Sequence, residues 1–325
     1  MGKLASLIKA KERFSSIISE FYHLIKAGWP LYWAMWNLIW WLSWYAGARK
    51  VNIIAEERKQ SFLEKYINEN YSEIVKKYTC SKESENECTN FRIWIFWGQG
   101  ETDMPSLVRA CYKKLKENNK NVQFIDMNNT KQFVVLPQVV YDKLKKGELL
   151  FAHFSDILRN TLIAQYGGLW LDATVWFPNK MPDIATSSTF FSPHNTDDNT
   201  FWCSYAMGSN KINSVTFSFV RDILTAVCEK EGKWPCYLFQ DHVLKFAHKH
   251  IPAAKKAIDE TPTNNTRRFM LFHLINKPYN EKEYSELISN NFIFKLSYKS
   301  LYKLEYEGRE TFYSHLIANN DTPKA

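Results

Sequence analysis

The sequence lacks the cysteine spacings that mark metal fingers and disulfide-rich domains. No cleavable signal sequence is expected either, so we expect free thiols in a reducing cytoplasm. The one alternative is a pair formed by Cys80 and Cys88 in an oxidising compartment, since these two flank an acidic, Ser-rich loop. None of the six cysteines forms a Cys-x-x-Cys pair; they are Cys80, Cys88, Cys111, Cys203, Cys228 and Cys236.

Internal repeats and low-complexity tracts are also absent, and the 325 residues suffice for one large or two modest cores. A pI near 9.0 and 16% aromatic residues raise the hypothesis of a nucleic-acid binder. However, nine Lys/Arg against four Glu place +5 of the net charge of +8 in the first sixty residues, which leaves +3 for the rest. Binding to a phosphate backbone needs clustered Lys/Arg. We therefore expect no nucleic-acid partner.

The first fifty residues differ in character from the rest. Residues 27–48 carry no charge, and basic residues flank them on both sides. The length would allow a membrane-spanning helix, but Gly28, Pro30 and Asn37 weaken one, and tryptophan prefers the headgroup region. Most tryptophans here are three or four residues apart, which predicts a stripe along a helix, with Leu31, Met35, Leu38 and Leu42 on another face. The six are Trp29, Trp33, Trp36, Trp40, Trp41 and Trp44.

These features predict a basic, Trp-rich helical segment over residues 1–50 that associates with a membrane surface. A basic amphipathic helix over 4–24 would precede the tryptophan stripe, and the basic flanks would attract anionic lipid. We expect a peripheral protein on the inner face of the cytoplasmic membrane. The alternative is a helical hairpin that packs against the remainder of the protein.

The rest of the chain alternates strand and helix patterns, which favours a parallel sheet wrapped by helices. We predict a Rossmann-like α/β domain over 91–325, which follows a helical linker over 51–90. Predicted helices cover 51–78, 105–117, 137–146, 149–166, 214–231 and 237–250. Predicted strands cover 92–97, 122–126, 169–173, 189–192, 202–207 and 292–297.

The most informative stretch, residues 155–175, predicts a helix, a stop and a short strand. Asp156 and Arg159 are three residues apart and therefore share one helix face. The double glycine at 167–168 supplies the left-handed geometry that ends a helix, and the apolar run 169–171 predicts a buried strand.

That strand ends on Asp172, and Thr174 follows two residues later. In open α/β sheets, ligands gather at the carboxyl ends of strands, so the segment brings an acid, a base and a second acid towards one crevice. The alternative for Asp156 and Arg159 is a surface salt bridge worth less than about 1 kcal/mol.

The pattern Ser-Asp-x-x-Arg…Tyr-Gly-Gly-x-Trp-x-Asp-Ala-Thr resembles the bacterial capsular polysaccharide synthesis proteins, as does the run Ile-Trp-Ile-Phe-Trp-Gly-Gln-Gly from residue 93. The similarity covers about residues 90–300. These proteins are related to glycosyltransferase family 32, so the resemblance implies a GT-A fold. It also implies transfer of a hexose or N-acetylhexosamine from a nucleotide sugar, expected to be a UDP-sugar, to a lipid-linked capsule or lipopolysaccharide-type acceptor. Retention of the anomeric configuration is implied by the same relatives.

The resemblance assigns residues to this reaction. Asp156 and Arg159 would hold the hydroxyls of the donor sugar and ribose. Asp172 stands at the first position of the GT-A Asp-x-Asp motif and would be catalytic, but Thr174 replaces the second carboxylate. We therefore expect Mn²⁺ or Mg²⁺ at Asp172 to be held weakly, together with phosphates, unless Thr174 donates directly to an oxygen.

Other residues are implied with alternatives open. Lys295 or Lys299 would neutralise the diphosphate, or they are solvated lysines. Gln240 and Asp241, at the start of a helix, would face the anomeric carbon and the acceptor, or lie on a helix surface. Trp97 is the aromatic of its strand that we expect to be exposed enough to stack on the base. The remaining donor-binding residues are Gln99, Tyr166 and Gly168.

A function of another class stays open beside the enzyme. A glycan-assembly protein that retained a nucleotide-sugar pocket but lost catalysis would also carry an altered Asp-x-Asp motif. Such a protein would bind nucleotides without turnover. The sequence does not predict an oligomeric state.

Overall fold

In a computed structural model of the chain, the structure describes residues 2–194 and 202–318, with side chains from residue 14 onward. A 3-10 turn covers Glu101–Asp103. The strands are β1 (Ile93–Phe96), β2 (Val122–Ile125), β3 (Gly168–Asp172), β4 (Val175–Trp176), β5 (Ala206–Ser209), β6 (Phe294–Lys295), β7 (Glu305–Tyr306) and β8 (Arg309–Glu310). The helices are α1 (Gly2–Lys26), α2 (Leu31–Tyr45), α3 (Arg49–Asn70), α4 (Ser72–Thr79), α5 (Ser106–Asn118), α6 (Thr130–Phe133), α7 (Gln138–Lys145), α8 (Phe151–Tyr166), α9 (Asp183–Ser187), α10 (Val215–Lys230), α11 (Phe239–His250), α12 (Pro252–Asp259), α13 (Met270–Leu274), α14 (Glu281–Asn290) and α15 (Phe312–Ala318).

A four-stranded sheet with the order β2-β1-β3-β5 forms the centre of the fold. Strands β2, β1 and β3 are parallel, and β5 runs antiparallel to β3. Asp172 pairs with Phe96, so β1 and β3 end at the same edge of the sheet. The prediction of a mixed α/β fold with a mostly parallel sheet and many helices is confirmed.

Contacts within the chain divide it into two compact units. Unit 1 consists of Met1–Cys80, Leu136–Ile157 and Asp222–Ile251. Unit 2 consists of Ser81–Val135, Leu158–Arg221 and Pro252–Ala325, and it contains the central sheet. This division differs from the predicted domains 1–50, 51–90 and 91–325, which stay a prediction.

Strands β1 and β3 lie inside the core of unit 2, and their residues are almost wholly buried. Strands buried on both faces read as continuous apolar runs, which is the pattern the sequence has at 93–96 and 169–171. The residues packed around them include Val108, Leu115, Phe177, Phe191 and Ile293.

The link between α8 and β3 explains the double glycine. Gly167 and Gly168 have φ of 67° and 93°, a region that side chains disfavour. A Cβ on Gly168 would lie 2.4 Å from the carbonyl oxygen of Arg92 and 2.9 Å from Nε1 of Trp94. The predicted helix stop is therefore correct, and close backbone packing gives a second reason for glycine at 168.

Several predicted elements differ from the structure. The helix predicted over 51–78 divides at Tyr71 into α3 and α4. The strand predicted over 189–192 contributes a single bridge, Phe191 to Gly208, beside the ladder that β5 forms with β3. The last strand shortens to the two residues of β6. All six cysteines are unpaired in the structure.

In unit 1, helix α2 packs against α1 and α3. Trp33 and Trp40 are buried, and the indole of Trp33 donates to the carbonyl of Pro235 over 3.1 Å. The ammonium group of Lys59 lies 4.4 Å from the ring centroid of Trp40. Among the residues that the structure describes, no helix combines the length and the apolar character needed to cross a membrane.

Candidate functional site

Asp172, the last residue of β3, is the centre of a small cluster of charged side chains in unit 2. Its Oδ1 accepts hydrogen bonds from Nη2 of Arg159 at 3.3 Å and Nε1 of Trp170 at 3.0 Å. Its Oδ2 accepts one from Nζ of Lys295 at 2.8 Å. Protein donors therefore occupy both carboxylate oxygens. The side chain is still 28% exposed, so the site reaches solvent.

Three elements bring these groups together. Arg159 lies on α8, which leads through the double glycine into β3. Trp170 and Asp172 are two residues apart on β3 and therefore point to the same side of the strand. Lys295 arrives from far along the chain, because β6 pairs with β4 and sets Lys295 opposite Val175.

Lys295 links Asp172 to Thr174. Its Nζ donates to Oγ1 of Thr174 at 2.9 Å as well as to Asp172, and it lies 5.2 Å from the ring centroid of Tyr205. An ammonium group has three N–H donors. Within the part of the chain that the structure describes, Asp172 and Thr174 take two of them, which leaves one donor for a ligand.

Arg159 is fixed by its surroundings. Its Nη1 donates to the carbonyl oxygen of Ser204, and its guanidinium lies 5.1 Å from the ring centroid of Trp170. The side chain is only 6% exposed. A planar guanidinium held by a carboxylate, a carbonyl and a ring has little freedom to move, so it presents a fixed charge.

Burial alone would raise the pKa of the Asp172 carboxyl. The charges of Lys295 and Arg159 outweigh that effect, and the hydrogen bonds from Lys295 and Trp170 add to them, so the pKa falls to about 2. Asp172 is thus ionised at any physiological pH. Two cations beside one carboxylate leave these three groups with a sum of +1, which suits an anionic ligand.

The fit of these residues to a divalent metal ion is poor. Mg²⁺ and Mn²⁺ take hard oxygen ligands, usually one or two carboxylates plus substrate phosphates. Here the ammonium group of Lys295 lies between the carboxylate of Asp172 and the hydroxyl of Thr174, and both oxygens of Asp172 already accept hydrogen bonds. Within the described parts of the chain, no three His, Cys, Asp or Glu residues converge on a possible ion. The Mn²⁺ or Mg²⁺ expected at Asp172 stays a prediction that this donor set does not favour.

The neighbouring end of β1 carries aromatic residues. Trp94 and Phe96 are buried, and Trp97, which follows the strand, is partly exposed; its stacking on a base stays a prediction. The Trp97 ring meets Tyr298 edge-to-face, with centroids 5.3 Å apart. Gln99 is exposed on the loop that follows. The exposed Lys299 has its Nζ 5.9 Å from the Tyr298 ring centroid.

Two predicted donor-binding residues have contacts that belong to the fold. The hydroxyl of Tyr166 donates to the carbonyl of Phe133 at 2.7 Å, and its ring packs on Trp94. Gly168 is required by backbone packing, as described above. Their roles towards a ligand stay predictions.

Three other predicted residues belong to unit 1. Asp156 is buried on α8, one turn before Arg159. Gln240 is buried and Asp241 partly buried in the first turn of α11, so the helix-surface alternative does not apply to Gln240. Their proposed roles in chemistry stay predictions.

Sequence reasoning missed three partners of the predicted residues. Trp170 could have been found, because strand periodicity places it on the same side as Asp172. The carbonyl of Ser204 and the ring of Tyr205 could not, because they lie in an irregular segment just before β5.

Comparison with known proteins gave a match to a family model and matches to solved structures. The model of a protein family described as "Capsular polysaccharide synthesis protein" matches residues 44–316. A solved structure named "PaToxG Glycosyltransferase" is similar with a TM-score of 0.40 and 12% sequence identity, covering 72% of this chain and 99% of that one. A comparison with curated protein sequences gave no match.

Proposed function

The chain belongs to the capsular polysaccharide synthesis protein family, and on that premise we propose that it is a glycosyltransferase. The donor is a nucleotide sugar, first of all a UDP-sugar, and a hexose or N-acetylhexosamine passes to a lipid-linked glycan of a surface polysaccharide. The observation that carries the proposal is the cluster at the end of β3, in which Asp172 holds Arg159 and Lys295. Fixed cations at a strand end suit a diphosphate.

In the proposed reaction, Lys295 stabilises the leaving group. Breaking the bond between the anomeric carbon and the phosphate oxygen puts negative charge on the diphosphate. Preorganised donors aimed at such charge lower the barrier, and losing one typically costs about 10²–10³ in rate. The third N–H of the Lys295 ammonium group would donate to a phosphate oxygen. Asp172 and Thr174 accept from the other two and hold the group in place.

The bonds balance without an enzymic nucleophile. The acceptor hydroxyl oxygen forms the new bond to the anomeric carbon as the old bond to phosphate breaks. The proton of that hydroxyl passes to an oxygen of the departing diphosphate. Attack from the face that the diphosphate leaves gives retention of configuration, which is the stereochemistry we propose.

The other predicted residues take supporting roles in the proposal. Trp97, beside Gln99, stacks on the nucleotide base, since aromatic faces bind bases of any sequence. Arg159 and Asp156 hold hydroxyls of the ribose and sugar. Because Lys295 already supplies a cation between Asp172 and Thr174, we expect turnover to persist in EDTA. A strict requirement for added Mn²⁺ would contradict that role for Lys295.

The test is a thermal-shift and donor-hydrolysis screen of the full chain against UDP-, GDP- and CMP-sugars, with and without Mn²⁺, repeated with membrane lipid extract as acceptor. A bound donor should raise the melting temperature by mass action. We expect one donor to stabilise the protein and to be turned over slowly. The Asp172→Ala and Lys295→Ala variants should lose at least 100-fold in turnover.

The matched control is Lys255→Ala, which removes another lysine of unit 2 that pairs with an aspartate, Asp259 at 2.6 Å. It should leave turnover unchanged. Stabilisation by a donor without turnover would favour the non-catalytic glycan-assembly protein. If no nucleotide sugar changes the melting temperature, the glycosyltransferase proposal fails.

A further inference from the structure

Helix α2 has one buried side and one side that is exposed to solvent. Trp33, Asn37 and Trp40, spaced by four and three residues, are buried within unit 1. Leu31, Met35, Leu42 and Tyr45 repeat at the same helical period on the other side and are exposed. The sequence left open whether this segment meets lipid or packs on protein; the side that carries Trp33 and Trp40 is packed, whereas Trp44 near the end of α2 is exposed.

Helix α1 repeats this arrangement. Its Ile17 and Leu24 are buried, whereas a second row at spacings of four, four and three is exposed. On α3, Val51, Ile53 and Ile54 are exposed around the first turn and do not form a single row. We call the exposed apolar rows of α1 and α2 the outward apolar face: Phe14, Ile18, Tyr22 and Ile25 of α1, and Leu31, Met35, Leu42 and Tyr45 of α2.

The exposed charges that flank α2 along the chain are basic, and the first exposed acid after them is Glu57 on α3. Lys26 at the end of α1, and Arg49 and Lys50 at the start of α3, are exposed. Glu20, the one acidic residue between positions 14 and 55, is partly buried. Its carboxyl pKa is raised by burial. A basic rim on an apolar face is complementary to an anionic surface with an apolar interior.

We propose that the outward apolar face rests on an anionic phospholipid surface, with α2 lying in the plane of the interface. Interfacial helices bury one apolar side at the level of the headgroups, and each nearby Lys or Arg adds attraction to anionic lipid. Tyr22, Trp44 and Tyr45, all exposed, are residue types that favour that level of the bilayer. This surface needs no donor, so it is independent of the proposed transfer reaction.

The experiment is co-sedimentation of the full chain with vesicles of phosphatidylcholine, with and without phosphatidylglycerol. We expect binding to the anionic vesicles that weakens as salt is raised. The triple variant Leu31→Ser, Met35→Ser, Leu42→Ser should lose at least tenfold in binding. The variant Lys26→Gln, Arg49→Gln, Lys50→Gln should lose the preference for phosphatidylglycerol.

The matched control removes three apolar residues of unit 2 that are equally or more exposed, Val135→Ser, Leu301→Ser and Leu304→Ser, and should bind as wild type. Urea unfolding of each variant distinguishes a loss of binding from a loss of fold. The variant with glutamine at positions 26, 49 and 50 keeps all apolar side chains, so its packing should be unchanged. Equal binding of wild type to neutral vesicles, or full binding by the Leu31 triple variant, would overturn the proposal. The proposal would also be overturned if the wild type were a dimer in the absence of lipid and the triple variant a monomer. The outward apolar face would then be the contact with a second copy of the chain.

Discussion

At the scale of single residues, Trp170 connects the two halves of the charged cluster. Its indole N–H binds Oδ1 of Asp172, and its ring lies beneath the guanidinium of Arg159. Phenylalanine would keep most of the ring surface and lose only the N–H donor. Asp172 would then be held less firmly, and with it Lys295.

We predict that Trp170→Phe lowers donor turnover by about tenfold, since a hydrogen bond to a charged group is worth about 1.5–3 kcal/mol. The control is Trp176→Phe, which also deletes a buried indole bond in unit 2, that to the Tyr284 hydroxyl at 3.0 Å. Both variants are to be compared by donor hydrolysis and urea unfolding. A similar loss of turnover in both would mean that the effect is general to the fold.

Gly168 gives a second prediction at this scale. Alanine there would need a positive φ and would bring its Cβ to 2.4 Å from a backbone oxygen. We expect Gly168→Ala to reduce the free energy of unfolding by at least about 3 kcal/mol. Gly308→Ala has a similar φ of 72° with no atom within 4 Å, so it should cost about 1 kcal/mol. Equal losses in urea unfolding would show that the close contact relaxes freely.

How much of the site the sequence predicts depends on how local the signal is. Arg159 and Asp172 stand thirteen residues apart in one helix–strand unit, so spacing alone brings them to the same region. The pairing of Lys295 with Asp172 depends on β4 and β6, each only two residues long, which no periodicity can reveal. Similarity to a family suggested Lys295, but the bridge to Thr174 comes only from the structure.

At the scale of elements, α11 is held to α3 by a buried histidine. Nδ1 of His242 lies 2.7 Å from Oε1 of Gln60. Burial lowers the pKa of His242 to about 3, although the nearby charge of Glu56 acts in the opposite direction. The histidine in this helix contact is therefore neutral at physiological pH.

This pKa shift has a defined consequence for stability. An unfolded histidine takes up a proton near pH 6.5, whereas folded His242 does so only near pH 3. The contribution of His242 to the free energy of unfolding is complete above about pH 6.5. It is lost as the pH falls, at up to about 1.4 kcal/mol per pH unit. We predict that urea unfolding between about pH 7 and pH 5 shows this slope and that His242→Gln flattens it. An unchanged slope in the variant would assign the effect to other groups, of which His153, with its pKa lowered by burial to about 4, is the first to test.

Elements were predicted well where the pattern was long. The strands at the centre of the sheet and the helices before them agree within a few residues, because continuous apolar runs and double glycines are strong signals. The strands β4, β7 and β8 and the helices between 252 and 318 were missed, and the strand predicted over 292–297 shortens to β6, since short segments owe their structure to tertiary contacts.

At the scale of the whole molecule, the Trp-rich segment is an integral part of unit 1. Trp29 donates to the carbonyl of Lys233, Trp33 donates to Pro235, and the Trp33 ring stacks on Phe62 with centroids 4.9 Å apart. Removing residues 1–50 would therefore expose the apolar side of α3 as well as delete any lipid-binding face. Each large aromatic lost from a core costs about 3–5 kcal/mol, against a total stability of about 5–15 kcal/mol for a domain.

We accordingly predict that deletion of residues 1–50 abolishes the cooperative unfolding of unit 1, whereas the Leu31, Met35, Leu42 triple variant unfolds like wild type to within about 1 kcal/mol. Far-ultraviolet circular dichroism in urea measures both. The contrast follows from burial: the deletion removes the side of α2 that packs on α3, and the triple variant changes only the side exposed to solvent. A truncated chain with the wild-type midpoint would mean that the segment is a detachable anchor, and that the tryptophans contribute little to the fold despite their burial.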